Sequence, residues 1–468
     1  MKIKVTEIDA ILSRTDLQGI KVLAPILSYK TTIWKQGQFA KRKLEVIKKC
    51  YKTHGTKEAL FPTGFIPKIK LYLESVGYKF ELINLNPIEI GIKDQYVLKE
   101  KVGEGKIKFR PDQIKLMDEA FKNKRGLIKS PTGSGKSILM MGITSKFMKE
   151  ENILILCHNA SIVKQLHNDF TKYFSRVTMF GGDIDPQLKF EPLKHRIVLS
   201  TIQSFSKIHP NNYCDYFSCV MVDEAHRVSS FTGLYADVLQ NILAPYRFGF
   251  TATLPTTPEA QFAYEGFIGP MIAELSINEA AELNILAKPK LKIIKAGFPA
   301  SLRDIRDYHS VYEEGIVQNE TRNQQIVAII QECVNRDETV LIFVNKIAQG
   351  ENIAEICFQQ GVSITFVQGS SDIETRERVR NELNLGSIRA VISTTVWKEG
   401  INIPNLHNII NAAGGKSEIA TLQAIGRGLR KTSGKYMVRI YDFFDPGHPY
   451  LIAHFGERLC LYMDMGWL

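Results

Sequence analysis

Residues 130–137 read SPTGSGKS and follow the short apolar run GLIKS (126–130). Together they predict a strand, a tight turn and a helix that begins near Lys136. Gly133 and Gly135 let the backbone turn so that its N–H groups point inward, toward phosphate oxygens. The positive end of the following helix adds to that pull on anions. Lys136 would bring a full charge to the β/γ-phosphates of a nucleotide, and Ser137 a hydroxyl for Mg²⁺. Thr132 and Ser134 complete the loop. Ser130 stands where the phosphate-loop pattern G-x-x-x-x-G-K-[ST] has its first glycine, so a serine-rich turn that contains a lysine is the other reading.

The second half of such a site is CVMVDEAH (219–226), whose Asp223 lies 87 residues beyond Lys136. An apolar strand ends there in two acids, Asp223 and Glu224. Strand alternation predicts that they point to opposite sides. One would hold Mg²⁺ and the other would orient and deprotonate the attacking water, as phosphoryl transfer requires. Upstream, FRPDQ (109–113) places Arg110 and Gln113 ahead of the loop. The amide of Gln113 can both donate and accept, which suits an adenine edge.

Further apolar runs with polar C-terminal ends lie between and after these motifs: NILILCH (152–158), RVTMFGG (176–182), RIVLST (196–201) and RFGFTAT (247–253). Such runs suit strands buried on both faces of a parallel sheet, whose carboxyl ends carry the ligand groups. Residues 255–335 contain five prolines and read as a linking region. A second series follows: TVLIFV (339–344), SITFVQG (363–369), RAVIST (389–394), HNIINAA (407–413) and YMVRIYDFF (436–444). The expected fold is α/β, with two tandem parallel-sheet domains preceded by a small basic α+β domain. The expected boundaries are 1–100, 101–285 and 286–468, the last including a linker of about 286–335.

The second series lacks a phosphate loop but ends in QAIGRGLR (423–430), the pattern Q-x-x-G-R-x-x-R with Gln423, Arg427 and Arg430. On a helix the two arginines share a face. Across a cleft between the domains they would act as arginine fingers on the nucleotide. A solvated basic helix is the alternative.

The 468-residue chain has a net charge of +11, and residues 1–101 carry 19 Lys and Arg against 10 Asp and Glu, a net of +9. Charge concentrated in this way points to a polyanion. In FAKRKLEVIKKCYK (39–52), Ala40, Leu44, Ile47 and Tyr51 fall on one helical face. A basic amphipathic helix is expected, with Lys41, Arg42, Lys43, Lys48 and Lys49 facing a phosphate backbone or water. No apolar run approaches the roughly 18–20 residues of a membrane span. The first residues do not resemble a secretory signal. The seven cysteines form no C-x-x-C pair, so reduced thiols in a cytoplasmic protein are expected, with no zinc site.

The motifs FRPDQ, SPTGSGKS, STIQSF, VDEAH, TAT, LIFVNK, ISTTVWKEGINIP and QAIGRGLR stand in the order found in superfamily two helicases and translocases, which the chain strongly resembles over about residues 105–445. The resemblance implies that the two tandem parallel-sheet domains are RecA-like, with ATP and Mg²⁺ as cofactors. It also implies that Thr251 and Thr253 couple hydrolysis to strand movement. Thr201, Gln203, Asn345, Lys346, Thr394 and Thr395 would line the nucleic-acid track, and Gly400 would approach the nucleotide. Asn402 stands where many relatives have Asp. The box DEAH suggests RNA helicases, but those carry longer C-terminal parts than the 38 residues that follow Arg430 here. The small basic domain ahead of a compact motor resembles phage recombination helicases of the UvsW type, which unwind or reanneal forks, Holliday junctions and R-loops. That likeness implies branched DNA as partner, a monomer, no membrane, and other recombination or replication proteins as further partners, within an infected bacterial cytoplasm. An RNA helicase, a restriction-enzyme motor subunit and a binding protein with a dead ATPase fold are the alternatives. No separate domain for a nuclease is evident.

Overall fold

The computed structural model describes residues 1–6, 9–13, 19–36, 41–54, 58–85, 89–100, 105, 107–181, 196–255, 257–394, 403, 405–415, 437–464 and 467–468, with backbone alone at 13, 32–36, 41–46, 53–54, 58, 373 and 464. The chain divides into two compact units, one of residues 1–130 with 135–275 and the other of residues 276–468 together with the short stretch Pro131–Ser134.

The first unit holds the basic N-terminal region and one α/β sheet. Strands β1 (Lys2–Val5), β2 (Asp9–Ser13), β5 (Lys52–His54), β6 (Glu58–Pro62) and β7 (Glu81–Asn84) form a mixed sheet in the order β5-β6-β2-β1-β7. Between β2 and β5, β3 (Ser28–Gln36) and β4 (Lys41–Lys49) pair antiparallel over nine residues each. The segment expected to be a basic helix is therefore a strand. Its apolar positions fit a helical period, but nine residues of KRKLEVIKK meet SYKTTIWKQ, rich in β-branched side chains, and that partner decides the outcome. Ile47, placed on the supposed apolar face, is 66% exposed.

Strands β8 (Arg125–Lys129), β9 (Ile153–Cys157), β10 (Val177–Phe180), β11 (Ile197–Thr201), β12 (Cys219–Asp223), β13 (Tyr246–Thr251) and β14 (Met271–Glu274) form an all-parallel sheet ordered β10-β11-β9-β12-β13-β8-β14. The core strands β9, β11, β12 and β13 are buried at every position, as continuous apolar runs require. Registers such as Thr251↔Lys129 and Asp223↔Phe250 bring the carboxyl ends of β8, β12 and β13 to one edge.

The helix α1 (Pro258–Phe267) joins the N-terminal sheet to this one. Phe262 packs between Tyr29 and Phe65, with centroids 5.2 and 5.8 Å away. Lys48 pairs with Glu259 at 3.2 Å and Lys68 with Glu265 at 3.1 Å. A Cβ on Gly64 would run into the carbonyl oxygens of Glu265 and Gly266, so glycine is required for the backbones to meet.

The second unit holds β15 (Lys288–Lys295), β16 (Val340–Phe343), β17 (Thr365–Val367), β18 (Ala390–Ser393), β19 (Asn408–Asn411) and β20 (Met437–Phe444), parallel in the order β15-β20-β19-β16-β18-β17. Residues 255–335 are not the linking region their prolines predict. They supply α1, the edge strand β14, the edge strand β15 and the helix α2 (Glu320–Asn335), whose Ile326, Val327 and Ile330 are buried in the second core. Pro258 sits in the first turn of α1, where no N–H is needed, and Pro289 lies on an edge strand. The helices α3 (Ile347–Gln359) and α4 (Pro449–Asp464) complete the unit's layers. Among the described residues no helix is long and apolar enough to cross a membrane.

Candidate nucleotide site and its connections

The phosphate-loop candidate leaves the end of β8. Ser130 N–H donates to the Thr251 carbonyl at 2.9 Å, which ties the start of the loop to the end of β13. Gly133 and Gly135 take φ of +86° and +100°, the left-handed region that favours glycine. Ser134 Oγ donates to the Pro131 carbonyl at 2.8 Å and closes the turn on itself. The helix Lys136–Lys146 starts directly after Gly135, which provides no side-chain cap. Its first N–H groups therefore face the turn, the arrangement that binds anions. Lys136 Nζ donates to the Ser130 carbonyl at 3.3 Å, so the ammonium lies back across the loop.

FRPDQ packs against this loop. A Cβ on Gly135 would lie 3.0 Å from Gln113 Nε2 and 3.8 Å from Arg110 Nη1. Gln113 is buried, and its Oε1 accepts from Arg110 N–H at 3.1 Å to cap the helix Pro111–Asn123. The acceptor half of the amide is thus already engaged, and Nε2 is the half beside the loop. Arg110 forms a bidentate pair with Asp112, both bonds 2.9 Å.

Asp223 ends β12 and is only 8% exposed. Burial pushes its carboxyl well above the usual range, the neighbouring Glu224 charge adds to this, and Lys136 opposes it. Glu224 does not follow strand alternation as expected. It has left the strand, with φ +51°, so a left-handed turn sets its direction. Its Oε2 lies 3.3 Å from His226 Nδ1, and the same nitrogen lies 2.9 Å from Thr251 Oγ1. The Thr251 hydroxyl donates to the Thr253 carbonyl at 2.7 Å, so its oxygen accepts and His226 carries the proton on Nδ1. Sequence reasoning assigned His226 no role. The signal was its fixed place two residues after Glu224.

Of the predicted nucleic-acid residues in the first unit, Thr201 is buried and caps the short helix after β11, accepting from Ser204 N–H at 3.1 Å, while Gln203 is exposed. In the second unit, Asn345 is half-buried, Lys346 is exposed at the start of α3, and Thr394 is buried at the end of β18, its N–H donating to Val367 O at 3.2 Å. Lys48 and Lys49 are exposed, and Lys48 is paired with Glu259. Thr395, Gly400, Gln423, Arg427 and Arg430, and the side chains of Lys41, Arg42 and Lys43, lie outside the described residues. A cavity of about 590 Å³ opens between the N-terminal strands and the sheet of the first unit, lined by Tyr29, Lys52, Phe231 and Glu259 among others. None of the phosphate-loop residues line it.

Two families match the chain: the type III restriction enzyme res subunit over residues 106–256, and the helicase conserved C-terminal domain over residues 322–432. Together they span more than half of it, in the order of a two-part motor. The chain belongs to the superfamily two helicases. It is a nucleic-acid-dependent ATPase of that class. This helicase is 26% identical over 404 residues to the ATP-dependent DNA helicase uvsW of Enterobacteria phage T4, covering 82% of this chain and 79% of that one. It is 23% identical over 368 residues to the DNA 3'-5' translocase XPB2 of Sulfurisphaera tokodaii, covering 70% and 79%. The crystal structure of the Pyrococcus furiosus Hef helicase domain shares the fold, with a TM-score of 0.54 at 15% identity over 75% of this chain and 98% of that one.

Proposed function

We propose that this helicase unwinds or branch-migrates branched DNA, using Mg²⁺-ATP at the loop Thr132–Ser137. The observation that carries the DNA reading is the docking of the basic N-terminal sheet on α1. That helix begins five residues after Thr253 and is therefore joined to the TAT turn by a short span. A duplex held by the N-terminal lysines would thus be attached to the element that contacts the DEAH box. The similarity to a phage DNA helicase supports the same reading.

In hydrolysis, the N–H groups around Gly133 and Gly135 and the Lys136 ammonium bind the phosphates. The Nε2 of Gln113 donates to the base. The Ser137 hydroxyl and the Asp223 carboxylate are hard oxygen donors that suit Mg²⁺, and a buried carboxylate raised by desolvation is stabilised by a cation. When bound, the metal neutralises charge on the β- and γ-phosphate oxygens. Glu224 accepts the proton of the attacking water. Gln423, Arg427 and Arg430 supply the remaining charge stabilisation, and Gly400 approaches the nucleotide. Thr201, Gln203, Asn345, Lys346, Thr394 and Thr395 contact the strand by its phosphates, without sequence preference.

The test is a substrate panel of forks, Holliday junctions, R-loops and linear duplexes in DNA and RNA, with turnover and strand separation measured on each. Highest unwinding on branched DNA is expected. Equal or greater stimulation by RNA would sink the DNA assignment.

A further inference from the structure

The turn Ala412–Gly415 follows β19 and leads directly into residues 416–436, which carry QAIGRGLR. The Ala412 carbonyl accepts from Arg322 Nη1 at 2.9 Å and from Gln349 Nε2 at 2.8 Å. The Ala413 carbonyl accepts from the Tyr312 hydroxyl at 2.5 Å. The Gly415 carbonyl accepts from Arg458 Nη1 at 3.2 Å. Gly414 has φ +62°, and a Cβ there would lie 2.7 Å from Ile316 Cδ1. All four donor residues are buried.

The donors are themselves fixed. Arg322 Nε donates to Asp445 at 2.8 Å. Arg458, on α4, donates to Asp442 from Nε at 2.8 Å and to the Phe443 carbonyl at 2.9 Å, while Tyr462 OH donates to Asp442 at 2.8 Å. The turn also meets LIFVNK. The Tyr312 hydroxyl hydrogen-bonds Asn345, and a Cβ on Gly415 would lie 3.1 Å from Asn345 Nδ2.

Stability alone is a poor reason for this arrangement. A buried ion pair gains little over an apolar replacement, because desolvating two charges offsets their attraction. Two buried guanidiniums, an amide and a phenol on one four-residue turn instead define a position. We infer that Tyr312, Arg322, Gln349 and Arg458 are positioning residues for ATP hydrolysis: they fix the turn from which the chain enters the arginine motif and against which Asn345 is set. The inference rests on the proposed roles of Arg427 and Arg430. It also gives α4 a task in the motor, that of holding the turn through Arg458.

Tyr312→Phe removes one hydroxyl from the turn. Arg458→Lys keeps the charge but loses the planar fork that reaches Asp442 and two carbonyls together. Arg427→Ala serves as reference. For each, melting temperature, affinity for a fluorescent ATP analogue and turnover on saturating single-stranded DNA are measured. A misplacement of about 1 Å costs on the order of 10²-fold in rate. Tyr312→Phe and Arg458→Lys should therefore lower kcat by about tenfold to a hundredfold, with analogue affinity within about twofold of the parent. If Arg458→Lys does not fold, Tyr312→Phe decides. Unchanged kcat in the folded variants, while Arg427→Ala loses turnover, overturns the inference and leaves the finger reading standing. Parallel loss of analogue affinity and melting temperature overturns it in favour of a purely structural role. Unchanged turnover in Arg427→Ala defeats the finger reading and this inference with it.

Discussion

His226 Nδ1 lies 2.9 Å from Thr251 Oγ1 and 3.3 Å from Glu224 Oε2, so one imidazole touches both the acid of the DEAH box and the first threonine of TAT. The contact is buried and passes from one strand end to the next. His226→Ala and Thr251→Val should each reduce unwinding per ATP hydrolysed by about tenfold, while DNA-stimulated turnover falls less. Because the two share one hydrogen bond, the double variant should lose little more than either single one. Additive losses in a coupled ATPase and strand-separation assay would show that the contact carries no coupling.

Lys136→Ala should weaken ATP binding, and Glu224→Gln should spare it. A general base contributes about 10²–10⁴-fold, so Glu224→Gln is expected to lose at least about a hundredfold in kcat while still binding a fluorescent ATP analogue. Wild-type turnover by Glu224→Gln would remove Glu224 from the mechanism.

The close approach at Gly64 predicts that Gly64→Ala separates the N-terminal sheet from α1. Overpacking a core costs about 1–3 kcal/mol, and here the opposing atoms are backbone carbonyls that have little room to yield. Calorimetry should show a lower melting temperature, and limited proteolysis should release an N-terminal fragment.

Lys49 is exposed, whereas Lys48 pairs with Glu259. Lys49→Ala should therefore weaken duplex binding and reduce the magnitude of the slope of log K against log salt by about 1. Lys48→Ala should change melting temperature little, since exposed ion pairs contribute about 0–1 kcal/mol. Titrations at several salt concentrations check both.

Burial raises the Asp9 carboxyl above its usual range, against the pull of Lys52 and Arg247. The protonated form is then favoured by folding. Its stabilising contribution is complete below the unfolded value of 3.8 and is lost as pH rises through the folded one. Asp9→Asn should raise the melting temperature at pH 7 and have no such effect near pH 3.5. An equal shift at both would refute the linkage.

Much of the motor was legible in sequence because its strands are self-announcing. Runs such as ILILCH and CVMVD are apolar up to a polar last residue, a pattern that suits a strand covered on both faces. The glycines of SPTGSGKS likewise announce a turn that side chains disfavour. The strand at 41–49 was not legible, because KRKLEVIKK fits both a helical and an extended reading and its distant partner at 28–36 made the choice. Residues 255–335 misled in the other direction. Their prolines mark turns, first helical positions and edge strands as readily as linkers.

The chain by itself determined its α/β class and the order of its motifs, since these follow from local periodicity and from which residues tolerate a tight turn. Only the tertiary structure decided that His226 joins the DEAH box to TAT, that Gly64 seats the N-terminal sheet on α1, and that Arg322 and Arg458, 136 residues apart in sequence, reach one turn. Each is a contact between distant segments. Such a contact depends on which surfaces the packed core brings within hydrogen-bonding distance, and no local pattern records that.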